Sequence, residues 1–169
     1  MIETPRLVIR RMSTDDAAFI LELLNDPSFL QNIGDKRVRT LDDARAYITN
    51  GPMASYERHG FGLCLVVLRE SAEPIGMCGL LKRDALPDPD LGFAFLPRFW
   101  SKGFAFESAS AVLAYARDVF VLERIAAIAS PANAASIALL EKLGFVFERE
   151  TRLTGDASDV RLFGLRTSG

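Results

Sequence analysis

The sequence is poor in the residues that most often announce a specialised chemistry. Its 169 residues include two cysteines, one histidine and one tryptophan. Two thiols cannot make a disulfide framework, and Cys64 and Cys78 both lie in apolar runs, so they read as small core residues in a reducing compartment. No cluster of His, Cys, Asp and Glu has metal-ligand spacing, so no metal is expected, and no Ser-His-Asp or Cys-His arrangement is supported. No run approaches the roughly 18 apolar residues of a membrane span, and Met1 to Arg6 lacks a basic stretch leading into an apolar one. The expectation is a cytoplasmic protein. Charge is nearly balanced, 20 Lys+Arg against 22 Asp+Glu for a net −2, and the basic residues are scattered, which leaves no footprint for nucleic acid. The P-loop signature is absent, and Gly60-Phe61-Gly62 lacks the third glycine and the βαβ setting of a Rossmann fingerprint.

What is present is an ordinary globular composition, 49% apolar and 25% charged, without repeat, low-complexity tract or interdomain linker. That length suits one domain, residues 1–169. Leu7 to Met12 reads as a strand, followed by a capping box of Ser13 and Asp16 and a helix carrying Ala17, Ile20, Leu23 and Leu24. Asp26-Pro27 starts a short helix that Gly34 ends. Thr40 caps a helix over 41–58, with a break expected near Gly51-Pro52 because proline removes a helical donor. Phe61 to Leu68 and Pro74 to Leu81 form a β-hairpin, 83–90 is a Pro/Asp loop, and Leu91 to Leu96 is the next strand. After Gly103, apolar residues recur at helical spacing through Val119. A strand at 124–129, a helix at 134–143 capped by Asn133 and stopped by a left-handed Gly144, and strands at 145–147 and 160–165 around a polar loop at 154–159 complete a mixed α/β order.

The most informative segment is Pro97 to Ala105, which runs from a strand end into a long helix. A helix start leaves backbone N–H groups unpaired and carries partial positive charge, and a glycine lets an anion come close, so Gly103 has two readings, a seat for pyrophosphate or a plain helix start with a glycine for the turn.

This segment and three others resemble the GCN5-related N-acetyltransferase (GNAT) superfamily, particularly its ribosomal-protein N-terminal acetyltransferase branch. Thr4-Pro5-Arg6-Leu7-Val8-Ile9-Arg10 with Asp15-Asp16-Ala17 resembles the branch's opening strand and helix, and Ile75 to Leu80 its third strand. Asp90 to Pro97 leading into Trp100 to Glu107 resembles the acetyl-CoA motif, and Ser130 to Ser136 with Glu141 to Phe145 the last helix and strand. The resemblance implies a mostly antiparallel sheet flanked by helices and splayed between 91–96 and 124–129, with the pantetheine arm of acetyl-CoA against Phe93, Ala94 and Phe95. Pyrophosphate would sit on the amides of Ser101, Lys102, Gly103, Phe104 and Ala105, with charge from Arg98 and Lys102 or with those two simply solvated. Asn133 is a cap, a CoA contact, or both. Trp100 stands where the superfamily usually has Gln or Arg.

The same resemblance implies direct transfer of an acetyl group to a primary amine. Asp90 stands where the branch often carries Glu, and has two readings, a general base with a pKa raised by burial or a carboxylate that merely opens a strand. Ser136 matches a serine near the thioester sulfur, where its hydroxyl could bond a developing thiolate or only satisfy its own helix. Leu140 replaces the Tyr that many members use as the acid. Glu107 reads as a partner of the helix dipole, and His59 as a base or a helix-end residue. The acceptor is a protein N-terminus or a small-molecule amine, and the chain a monomer or a homodimer. The competing reading is a degenerate acyl-CoA sensor without turnover.

Overall fold

The computed structural model describes residues 1–153 and 158–167, so residues 154–157 of the expected polar loop lie outside the described residues. An extended pair, β1 (Ile2–Glu3) and β2 (Leu7–Arg11), opens the chain. Ser13 and Asp16 form the expected capping box on a short 3-10 turn that leads into α1 (Ala17–Asn25). Asp26 caps α2 (Pro27–Asn32), with Pro27 in the first turn where its missing N–H costs nothing. Thr40 and Asp43 form a second capping box on α3 (Leu41–Ile48).

The break expected at Gly51-Pro52 is instead a widened π-type turn over Thr49–Met53, which runs on into α4 (Ala54–His59) and buries Pro52. The wider turn leaves room for a ring that would clash with the carbonyl four residues back in a regular helix.

The meander follows as β3 (Leu63–Leu68), β4 (Pro74–Leu81) and β5 (Asp90–Phe95). Asp90 is therefore the first strand residue rather than the last of the loop. Next come α5 (Phe104–Asp118), β6 (Arg124–Ala129) and α6 (Ala134–Lys142), then β7 (Val146–Arg152) and β8 (Asp159–Arg166). Strand β7 is longer than expected because its outer part, Glu148 to Arg152, is charged or polar and mostly exposed, so it carries no apolar alternation to read.

The eight strands form one sheet in the order β1-β2-β3-β4-β5-β6-β8-β7. Every pairing is antiparallel except β5 with β6, which is parallel and consists only of Asp90 against Ala126 and Leu91 against Ala127. Beyond Leu91 the two strands diverge, and the expected splay is present. One face of the sheet packs Leu7, Ile9, Ile75, Leu91 and Phe95 against Ala109, Val112 and Ala116 of α5. The other packs Leu65, Val67, Met77 and Ala94 against Ile20, Leu23 and Ile48 of the first helices. Each fully buried Leu or Ile in these layers contributes roughly 1.5–3 kcal/mol relative to exposure. Two cores thus clamp β5 from both sides and fix the edge it presents to the splay.

Candidate active site

Hydrogen-bond alternation in the β4–β5 ladder decides which backbone groups face the opening. The Leu96 N–H donates to the Ile75 carbonyl at 3.1 Å, so Leu96 and, two residues earlier, Ala94 direct their backbone groups toward β4. Phe93 and Phe95 then direct theirs the other way, toward β6, which has already diverged. Among the described residues the N–H and C=O of Phe93 and the N–H of Phe95 are left as an unpaired strand edge. The Phe95 carbonyl is taken: the Trp100 indole N–H donates to it at 2.8 Å. Trp100 is thereby held at the end of β5, half-exposed, with its side chain on the wall of the opening.

That opening is a cavity of about 560 Å³. Its floor is Phe93, Ala94 and Phe95, and one wall is the segment from Trp100 through Ser101, Gly103, Phe104 and Ala105 to Phe106. The opposite wall is Ala132 to Ser136 with Leu139 and Lys142, and Ser28, Phe29 and Asn32 of α2 with Ile33 just after it close one side. Of the expected binding residues, Phe93, Ala94, Phe95, Ser101, Gly103, Phe104, Ala105, Asn133 and Ser136 are gathered here.

The wall at α5 is backbone. Gly103 is the residue before the helix and has φ +83°, while Ser101 has φ +61°, a conformation that costs a residue with a Cβ about 1–2 kcal/mol. Gly103 supplies no side-chain cap, and among the described residues no N–H from Ser101 to Phe106 is given a protein acceptor. A run of free donors at the positive end of a fifteen-residue helix has the chemistry that suits an anion.

At the other wall the Asn133 side chain accepts from the Ser136 N–H at 3.2 Å and so caps α6. Gly144 ends the following turn at φ +100°, the left-handed position expected of it. The Ser136 hydroxyl stands on the cavity wall with no hydrogen bond to the protein among the described residues. Leu140 points away and is buried in the core on the α5 side of the sheet, while Leu139 faces the cavity.

Three expected site residues do not line the cavity. Arg98 turns to Glu22 at 3.2 Å and Glu73 at 3.9 Å and lies over the Phe99 ring. Lys102 is exposed, and its carbonyl rather than its ammonium group is engaged. Asp90 is fully buried where β5 and β6 part, with both carboxylate oxygens 3.1–3.2 Å from the Arg83 Nε. Burial pushes its carboxyl above the ordinary value, against the opposing pull of Arg83. His59 stacks on Phe61 at 5.5 Å and ends α4. Cys64 and Cys78 are free thiols, and burial pushes that of Cys78 up to about 12, far from a reactive thiolate.

Lys142, the α2 residues Ser28 and Asn32, and Ile33 were not legible as site residues. Lys142 stood out only as a helix-end cation, and here it reaches the cavity wall with its ammonium 4.3 Å from the centroid of Phe106. Placement of α2 over the cavity depends on the fold of the first third, and no motif in that stretch marks it.

The family model described as the acetyltransferase (GNAT) domain matches residues 6–146. An uncharacterized N-acetyltransferase of Bacillus subtilis, YoaA, is 27% identical over 147 residues, covering 86% of this chain and 82% of the relative. Among solved structures, a ribosomal-protein alpha-N-acetyltransferase, RimL, in complex with coenzyme A superposes with TM-score 0.82 at 17% identity, covering 96% of this chain and 95% of that one. A spermidine N-acetyltransferase from Vibrio cholerae, in complex with CoA and spermine, gives TM-score 0.80 at 19% identity over 98% of both chains. The splayed sheet, the glycine-led helix and the match over 6–146 agree, and the chain belongs to the GNAT family of acetyltransferases.

Proposed function

We propose that this chain transfers the acetyl group of acetyl-CoA directly to a primary amine with both substrates bound together. The observation that carries the reading is the splay itself, where the free edge of Phe93 and Phe95 meets the uncapped start of α5 in one cavity. The pantetheine amides pair with that edge as an added strand would. The pyrophosphate lies on the amides of Ser101 to Ala105. Asn133, already spent on capping, meets the pantetheine arm with the face its cap leaves free.

In the transfer the neutral amine nitrogen attacks the thioester carbonyl, the carbon–sulfur bond breaks, and the sulfur leaves as a thiolate. Ser136 donates a hydrogen bond to that sulfur, since its hydroxyl has no competing partner among the described residues. Holding the two reactants in register supplies much of the acceleration, on the order of 7–11 kcal/mol in well-oriented systems. Asp90 is the carboxylate we assign to the amine's proton, a role its raised pKa suits; it lies behind the cavity wall, so the proton reaches it through a relay, against the pull of its pairing with Arg83.

The acceptor we favour is an α-amine at a protein N-terminus. An α-amine, with a pKa near 7.7–8.0, is partly neutral at pH 7, whereas an ε-amine near 10.4 is not. RimL acts on a ribosomal-protein N-terminus and the Vibrio enzyme on spermidine. None of the described residues lining the cavity is Asp or Glu, so none of them offers counter-charge to the several ammonium groups of a polyamine.

The test is release of free thiol from acetyl-CoA with a panel of N-terminal peptides, amino acids and polyamines. Faster release with α-amino peptides than with spermidine supports the reading. Binding of acetyl-CoA with no release for any amine overturns it in favour of an acyl-CoA sensor.

A further inference from the structure

A charged cluster outside the cavity grips the anion-seat loop from behind. The Arg6 Nη1 donates to the Lys102 carbonyl at 2.9 Å, and its Nε donates to Glu107 Oε1 at 2.7 Å. Glu107 Oε2 accepts from the Arg6 backbone N–H at 3.0 Å and from the Thr4 hydroxyl. The Arg6 guanidinium also lies over the Phe104 ring, 4.4 Å from its centroid. The segment before β2 is thereby pinned to the first turn of α5. Burial pushes the Glu107 carboxyl up, and the bonds from Thr4 and Arg6 outweigh it and hold the group below its ordinary value.

The geometry of one peptide unit gives this contact its consequence. The Lys102 carbonyl and the Gly103 N–H belong to the same planar trans peptide and point in opposite directions. Fixing the carbonyl toward Arg6 aims the Gly103 N–H away from it, and Gly103 is on the cavity wall. The loop is one that would otherwise relax, since it holds a serine at φ +61° and a glycine at φ +83° two residues apart. The fit is close as well: a Cβ built on Gly103 would stand 3.2 Å from Arg6 Nη2.

We infer that Arg6, oriented by Glu107 and Thr4, is the positioning residue of the pyrophosphate seat, holding the Lys102–Gly103 peptide so that the seat's amides converge on the anion. The inference rests on the proposed CoA site and concerns only its phosphate end. Lysine cannot replace arginine here, because one ammonium group cannot span a carboxylate and a carbonyl as the planar fork does.

The experiment compares dissociation constants for CoA and for pantetheine, which lacks pyrophosphate and nucleotide, in the wild-type chain, Arg6→Ala, Arg6→Lys and Glu107→Gln. CoA is followed by calorimetry and pantetheine by protein chemical shifts up to millimolar concentration. In Arg6→Ala, CoA binding should weaken at least about tenfold while pantetheine binding stays within about twofold, and Arg6→Lys should not rescue it. Glu107→Gln, which keeps the side chain's shape, should show the same selective loss to a smaller degree. Unchanged CoA binding in Arg6→Ala, or equal weakening of both ligands, overturns the inference, the second outcome marking a general structural role. If wild type binds CoA no more tightly than pantetheine, the pyrophosphate seat itself is wrong.

Discussion

The two ends of the cleft are built from different materials. At the proposed phosphate end the groups on offer are backbone N–H donors on a glycine-led helix start, held from outside by Arg6 and Glu107. At the end where β5 and β6 part, the proposed chemistry rests on single side chains: Ser136 on the wall, and Asp90 buried beside Arg83. A backbone seat tolerates substitution of most side chains around it, which is how Trp100 can stand where Gln or Arg is usual without removing a donor. A side-chain site has no such tolerance. The comparison therefore predicts large effects of few substitutions at the side-chain end, and effects at the phosphate end only where the backbone path or its clamp is disturbed.

The largest expected effect is on stability. Arg83→Met leaves the buried Asp90 carboxylate without its ion-pair partner, at a cost of about 2–3 kcal/mol once solvent screening of the partly exposed Arg83 is allowed for. The sign of its pH dependence follows from the raised folded pKa of Asp90. The folded state then keeps a proton that the unfolded chain has released, so stability falls as pH rises above roughly 4 and through the folded pKa, and recovers on acidification. Thermal melts of the variant between acid and neutral pH check this, and a pH-independent loss would show that Asp90 is not the group responsible. Next in size is Gly103→Ala, which puts a Cβ on a left-handed residue beside Arg6 and should weaken CoA binding about tenfold while lowering the melting temperature by several degrees.

Ser136→Ala should lower kcat about tenfold and leave the KM for acetyl-CoA near its wild-type value, because the hydroxyl acts on charge that develops only as the sulfur departs. A matching rise in KM would make Ser136 a binding group. Smallest is Arg98→Ala: its pairs with Glu22 and Glu73 are exposed, so the change should cost less than about 1 kcal/mol and leave CoA affinity alone. A clear loss of CoA affinity in that variant would erase the distinction between clamp and bystander at the phosphate end.

The helix start at Gly103 was also the more legible end of the cleft. Gly103 after a strand and before a long apolar-striped helix says where the free amides are, and the capping boxes at Ser13 and Thr40 placed their helical turns correctly because both rest on local chemistry. The parallel pairing that stops at Leu91 was readable only through resemblance, since nothing in either strand marks the point of divergence. Arg6 was not legible as a site residue, because its partners Lys102 and Glu107 lie about a hundred positions away and neither carries a local sign of the contact. Ser28 and Asn32 on the cavity wall escaped for the same reason. Strand β7 was seen only in its first residues, where Phe145 and Phe147 give an apolar signal, and its charged remainder pairs with β8 along the edge of the sheet.

The central claim is that CoA lies in the splay, along the β5 edge and onto the start of α5. Amide chemical shifts recorded during a titration with CoA test it most directly. The account predicts the largest changes at Phe93, Phe95 and Ser101 to Ala105, with Gly103 among the strongest. Binding that leaves those amides unmoved while shifting others, such as those lining the second groove between α5 and β8, would contradict it.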